Sequence, residues 1–206
     1  MHVVYAHGLG QKPDSWDAVL TVLDETIESS CPDLFALCNN SALTYPNLYA
    51  RFKAYCHDME GPLHLCGMSL GAVLALNYAL DYPKKVQSLA LIAPQANMPS
   101  VLLKVQNGLF RFMPEATFEK VGIAKKDMIA LTNSMLKLNF TAQLHTISCP
   151  TLIVCGTKDY ANKGAATKIA QQIPKAKLHF IEHARHEVNS TAAQQLAVVL
   201  KKFYSE

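Results

Sequence analysis

Short apolar runs alternate along this chain with stretches in which apolar residues recur every third or fourth position. The runs at 2–6, 34–38, 63–66, 86–93, 151–155 and 177–181 are brief, the first of them rich in β-branched and aromatic residues, and together they predict six strands. Between them the spacing predicts helices. Asp14 or Ser15 caps one that carries Trp16, Val19, Leu20, Leu23 and Ile27, and Pro46 and Asn47 open another with Leu48, Phe52, Tyr55 and Met59 on one face. An apolar run, 70–80, interrupted only by Asn77, reads as a buried helix. A further helix is expected around 164–172, and the closing one places Ala193, Leu196, Val199, Leu200 and Phe203 on one face. Strands alternating with helices predict a parallel sheet covered on both faces. The rhythm breaks from 95 to about 148, where helical patches are separated by Pro99, Gly108, Pro114 and Gly122.

Composition changes this picture little. The 206 residues are 50% apolar and 17% charged, enough chain for one domain with a sizeable core. Net charge is +3, from Lys scattered without a run, so no nucleic-acid or membrane partner is expected. No segment approaches the ~18 apolar residues of a membrane helix. No secretion signal opens the chain, so the expected compartment is the cytosol. The six cysteines lack a C-x-x-C and read as small buried thiols, with neither metal nor cofactor expected.

Chemistry concentrates at Gly67-Met68-Ser69-Leu70-Gly71, a G-x-S-x-G set between a predicted strand and a predicted helix. That frame forces a sharp turn, holds Ser69 out on its tip and points the positive end of the helix dipole at it. A serine hydroxyl needs a neutral imidazole to take its proton, and a carboxylate to fix that imidazole's tautomer. Parallel sheets gather functional groups at the carboxyl ends of strands. Asp159 follows the strand 151–155, and His183 and His186 follow the last strand, with His186 favoured because it directly precedes the closing helix. The other strand end where an acid could stand reads Ala93-Pro94-Gln95 and offers no carboxylate. Two backbone amides are needed for a developing oxyanion. Leu70 supplies one, and His7-Gly8-Leu9-Gly10 after the first strand supplies the other, with Leu9 favoured. His7 is expected to brace that loop rather than act as a base.

These motifs together resemble the α/β-hydrolase superfamily, and they span the chain from His7-Gly8-Leu9-Gly10 with Trp16 to His186-Glu187-Val188-Asn189. The resemblance implies the α/β-hydrolase fold with Ser69 as nucleophile, His186 as base, Asp159 as acid, and the Leu9 and Leu70 amides as oxyanion donors. It also makes 95–148 a short helical cap, for which Met68, Phe110, Phe112 and Met113 are candidate pocket residues, and it leaves the family's usual first hairpin missing. The implied activity is hydrolysis of a small-molecule carboxylic ester or thioester through an acyl-enzyme. An acyltransferase, lactonase or C–C bond hydrolase would share every residue named, as would a receptor that kept the fold.

Overall fold

The computed structural model describes residues 1–23, 26–38, 41–119 and 122–206. Its strands are β1 (His2–Ala6), β2 (Glu28–Ser30), β3 (Leu63–Met68), β4 (Val86–Ile92), β5 (Thr151–Gly156) and β6 (Ala176–Ile181). Its α-helices are α1 (Asp17–Leu20), α2 (Tyr45–His57), α3 (Leu70–Asp81), α4 (Ser100–Phe112), α5 (Glu115–Glu119), α6 (Lys125–Met135), α7 (Lys163–Gln172), α8 (Val188–Thr191) and α9 (Ala193–Tyr204). The six strands form one sheet in the order β2-β1-β3-β4-β5-β6, and every pairing is parallel.

Alternation along each strand sorts side chains into two cores. Val4, Leu65, Leu89, Leu91 and Ile153 face the layer built from α2, α3 and α7. Tyr5, Cys66, Met68, Ile92 and Val154 face the opposite layer, with Trp16, Val19, Leu196 and Leu200. The buried stripe of α2 runs Leu48, Phe52 and Cys56, while Tyr55 is only half-buried and Met59 lies past the helix end. Thr44 caps this helix, its hydroxyl accepting from the Asn47 amide.

Two expectations near the N-terminus are corrected. Trp16 ends a 3-10 turn, Pro13–Trp16, with no side-chain cap, and α1 stops at Leu20 instead of continuing to Ile27 (residues 24 and 25 lie outside the described residues). The strand expected at 34–38 is a turn ending in the 3-10 segment Ala36–Cys38, and the edge strand is the polar Glu28–Ser30. An edge strand pairs on one side only. Here exposed β2 needs no apolar alternation, whereas Leu34 is apolar because it is fully buried beneath the first loop. All six cysteines are free thiols. No helix among the described residues is long and apolar enough to cross a membrane.

The segment between β4 and β5 is stitched at its root. Met98 N donates to Leu138 O, and Phe140 N to Ala96 O. Farther out, Asn107 of α4 is buried and meets α6 through Asn133 and Thr132.

Candidate active site

Ser69 follows β3 directly and has φ 50° and ψ −106°, a strained backbone for a residue with a Cβ. Two close approaches make this turn. A Cβ on Gly67 would lie 2.3 Å from the Gly71 carbonyl oxygen, and one on Gly71 would lie 2.1 Å from that of Ala6. Glycine at both sites lets α3 start immediately and lets the β1 loop pass beside it. Leu70 becomes the first residue of α3, so its amide has no acceptor within the helix.

Asp159 lies in the turn after β5 and is 5% exposed. His186 lies in the loop after β6. His186 Nδ1 is 2.8 Å from Asp159 Oδ2, and Nε2 is 3.1 Å from Ser69 Oγ. With the proton on Nδ1, the imidazole donates to the carboxylate and turns a lone pair toward the hydroxyl. Burial pushes the Asp159 carboxyl up, but hydrogen bonds from His186 and Asn162 and the charge of His186 outweigh it. They hold the group below its ordinary carboxylate value. His183 stands apart: it is exposed, at φ 62°, with its amide bonded to Thr157.

The loop after β1 is braced as expected. His7 is fully buried; its Nδ1–H donates to Gly8 O at 3.0 Å, and its Nε2 accepts from the Leu34 amide at 3.1 Å. The Gly8 amide donates to Gln11 Oε1 at 2.9 Å. Gln11 and Asn189 are both buried and exchange amide hydrogen bonds at 3.1 and 3.2 Å, tying this loop to α8, which directly follows the His186 loop. Asn189 also donates to Ser15. Asn162 Nδ2 lies 2.8 and 2.9 Å from the two Asp159 oxygens, and its Oδ1 accepts from Gln95 at 2.7 Å. Gln11 and Asn162 carry no sequence signal, since neutral amides in loops are common, and Asn189 stands in the motif after His186 without a role assigned to it. Gln95 occupies the strand end that offers no carboxylate.

Ser69, His186, Asp159, Leu9 and Leu70 border one cavity of about 360 Å³. Its apolar wall is Val73, Met98, Leu103 and Met135, and its remaining polar side chains, Gln95, Gln106, Thr132 and Asn162, are uncharged. The four residues expected in the pocket lie elsewhere. Met68 is on the opposite face of the sheet, under Gly8. Phe110 packs edge-on against Phe118 at 5.5 Å, and Met113 joins the same core and accepts from Lys125 through its carbonyl. Phe112 is 89% exposed. Size and apolarity selected them, but the rotation of the insert's helices decides which apolar face meets the cavity.

Comparison with known proteins identifies the fold and the family. Residues 3–199 match the model of the Alpha/beta hydrolase family. A pimeloyl-[acyl-carrier protein] methyl ester esterase of Nitrosomonas europaea is 24% identical over 89% of this chain and 88% of its own. A thermophilic esterase from Thermogutta terrifontis superposes with TM-score 0.84 at 18% identity, covering 100% of this chain and 89% of that one. The enol-lactonase of Burkholderia xenovorans superposes with TM-score 0.83 at 17% identity, covering 100% of this chain and 91% of that one. With its parallel sheet, its strained serine turn and a family match over nearly its whole length, the chain is an enzyme of the alpha/beta hydrolase family.

Proposed function

We propose that the protein hydrolyses a neutral carboxylic ester with a medium-sized apolar acyl group, through an acyl-enzyme on Ser69. The observation that carries this reading is the unbroken chain of contacts from Asp159 through His186 to Ser69 Oγ, beside a cavity with no titratable side chain other than Asp159 and His186. His186 takes the serine proton as Oγ attacks the ester carbonyl, and Asp159 stabilises the imidazolium. The Leu70 amide and the Leu9 amide receive the negative charge on the carbonyl oxygen; the neighbouring Gly8 amide is already occupied by Gln11. His186 then returns the proton to the leaving alcohol. A water attacks the acyl-enzyme with the same base, which restores Ser69 and releases the acid. The Nitrosomonas relative, named for a methyl ester, supports an ester over other acyl compounds.

The test combines labelling by a fluorophosphonate probe with turnover of a p-nitrophenyl acyl series. Wild-type protein labels and turns over, with preference for apolar acyl groups, and Ser69→Ala does neither. A wild type that fails to label overturns the reading. Slow turnover with tight ligand retention would identify a receptor, and transfer of the acyl group to an added alcohol in preference to water would identify an acyltransferase.

A further inference from the structure

Helix α4 has two apolar sides. The inward one is accounted for: Leu103 lines the cavity, Asn107 is bonded into α6 and Phe110 packs on Phe118. The outward one carries Val101, Val105, Leu109 and Phe112, spaced four, four and three residues apart, and all four are exposed, from 58% for Val105 to 89% for Phe112. The other large exposed apolar residues among those described, Met1, Val22, Tyr160 and Val198, are scattered over the molecule. Lys104 and Arg111 are also exposed on α4, which has no carboxylate. Across 95–148, six Lys and Arg face three Asp and Glu, so this insert holds the chain's entire +3 and the rest is balanced.

We propose that α4 docks the enzyme on an anionic lipid surface. It would lie in the plane with its apolar stripe among the acyl chains and Lys104 and Arg111 against the headgroups. At 13 residues the helix is about 20 Å long, too short to span a bilayer but suited to lying in its interface. The stripe is a convex ridge on one helix, which a fluid interface accommodates and a protein partner would have to match with a groove. A second copy seated there would oppose two like-charged inserts. Leu103 and Gln106, on the same helix, line the cavity, so docking brings Ser69 close to a phase in which apolar esters dissolve. The docking itself does not depend on the chemistry at Ser69.

The test is co-flotation of the full chain, as wild type and as Ser69→Ala, with phosphatidylcholine vesicles holding no phosphatidylserine or about 30 mol% of it. Both proteins float with the anionic vesicles, and about 0.5 M salt releases most of them. The triple variant Val105→Gln/Leu109→Gln/Phe112→Gln, whose replacements favour helix, lowers partitioning at least about tenfold. It keeps its melting temperature and, on a soluble p-nitrophenyl ester, turns over within about twofold of wild type. Lys104→Glu/Arg111→Glu weakens binding only to the anionic vesicles, by about tenfold or more. Failure of the wild type to float with anionic vesicles, or flotation that the triple variant leaves intact, overturns the proposal. So does a homodimer that the triple variant dissociates, or stripe-dependent capture of a purified acidic carrier protein without vesicle binding.

Discussion

Gly156 ends β5, and the loop bearing His186 runs back over it. A Cβ placed on Gly156 falls 2.3 Å from Ala184 O and 2.6 Å from both Ala184 C and Arg185 O, all backbone atoms. Real Cβ contacts stay above 3.0 Å, so Gly156→Ala must push residues 184 and 185 away by at least about 0.7 Å. The next residue is His186. Its Nε2 already sits 3.1 Å from Ser69 Oγ, near the ~3.2 Å limit at which a base takes a proton directly. A displacement of this size breaks the contact, and misplacements near 1 Å cost on the order of 10²-fold in rate. Overpacking also destabilises by roughly 1–3 kcal/mol, which for a chain of this length lowers Tm by about 2–4 °C per kcal/mol.

The matched control is Gly164→Ala. Nothing lies within 4 Å of a Cβ there, and Gly164 belongs to α7, where alanine is the better helix former. It should raise stability by about 0.5–1 kcal/mol and leave turnover unchanged. Both variants are assayed for kcat on p-nitrophenyl butyrate and for the rate of fluorophosphonate labelling, well below their melting temperatures. Gly156→Ala should lose about 10²-fold in kcat and label correspondingly slowly while still folded. Native kcat with a lowered Tm would show that the loop relaxes without carrying His186 along, and would refute the reasoning.

Asn162→Ala removes the neutral donor shared by both Asp159 oxygens; a hydrogen bond to a charged group is worth about 1.5–3 kcal/mol, so kcat should fall tenfold or more without loss of fold, measured by steady-state kinetics. His7 gives a pH prediction. Burial depresses its pKa against the raising effects of the Gly8 bond, Asp33 and Asp14, so the unfolded chain binds the extra proton more readily. Stability is then complete above about pH 6.5 and falls as pH drops below it, by at most about 1.4 kcal/mol per unit, in thermal melts that a His7→Gln variant should flatten in this range. Leu103→Trp should fill part of the cavity and lower kcat/KM for an octanoate ester relative to an acetate ester by about tenfold, with an unchanged ratio as the contrary result.

The parts legible in the sequence are those where a local pattern and a general rule coincide. Four strands, β1, β3, β4 and β5, are apolar because both faces of the sheet are covered, while edge strand β6 alternates with Lys177 and His179 exposed; the carboxyl-end rule then marks Ser69, Asp159 and His186 although 117 positions separate the serine from the histidine. The misread stretch is the edge. Glu28–Ser30 has no apolar alternation to find, and the apolar residues at 34–38 are buried for another reason, as the floor under His7: Leu34 donates to its ring and Phe35 packs on it at 5.0 Å. The neutral amides escaped because their role is relational. Gln11 and Asn189 are unremarkable until the fold brings together positions 178 residues apart, and Asn162 until Asp159 needs a second donor.

The insert was hardest to read because its periodicity is ambiguous. In α4 both the cavity side and the outer side are apolar, so spacing alone cannot tell Leu103, which faces the serine, from Leu109, which faces solvent. The same ambiguity suggests a division of labour. The sheet ends hold the reacting groups through buried, mutually satisfied bonds, as in Gln95–Asn162–Asp159 and Gln11–Asn189. The insert touches that machinery with neutral and apolar side chains and is tied together by its own seam, from Asn107 to Thr132 and Asn133. Leu103 and Met135 lie on the two helices joined by that seam, so a change there moves the cavity wall as a unit and leaves the Asp159–His186–Ser69 chain in place. Selectivity for the acyl group can therefore shift through the insert without retuning the chemistry.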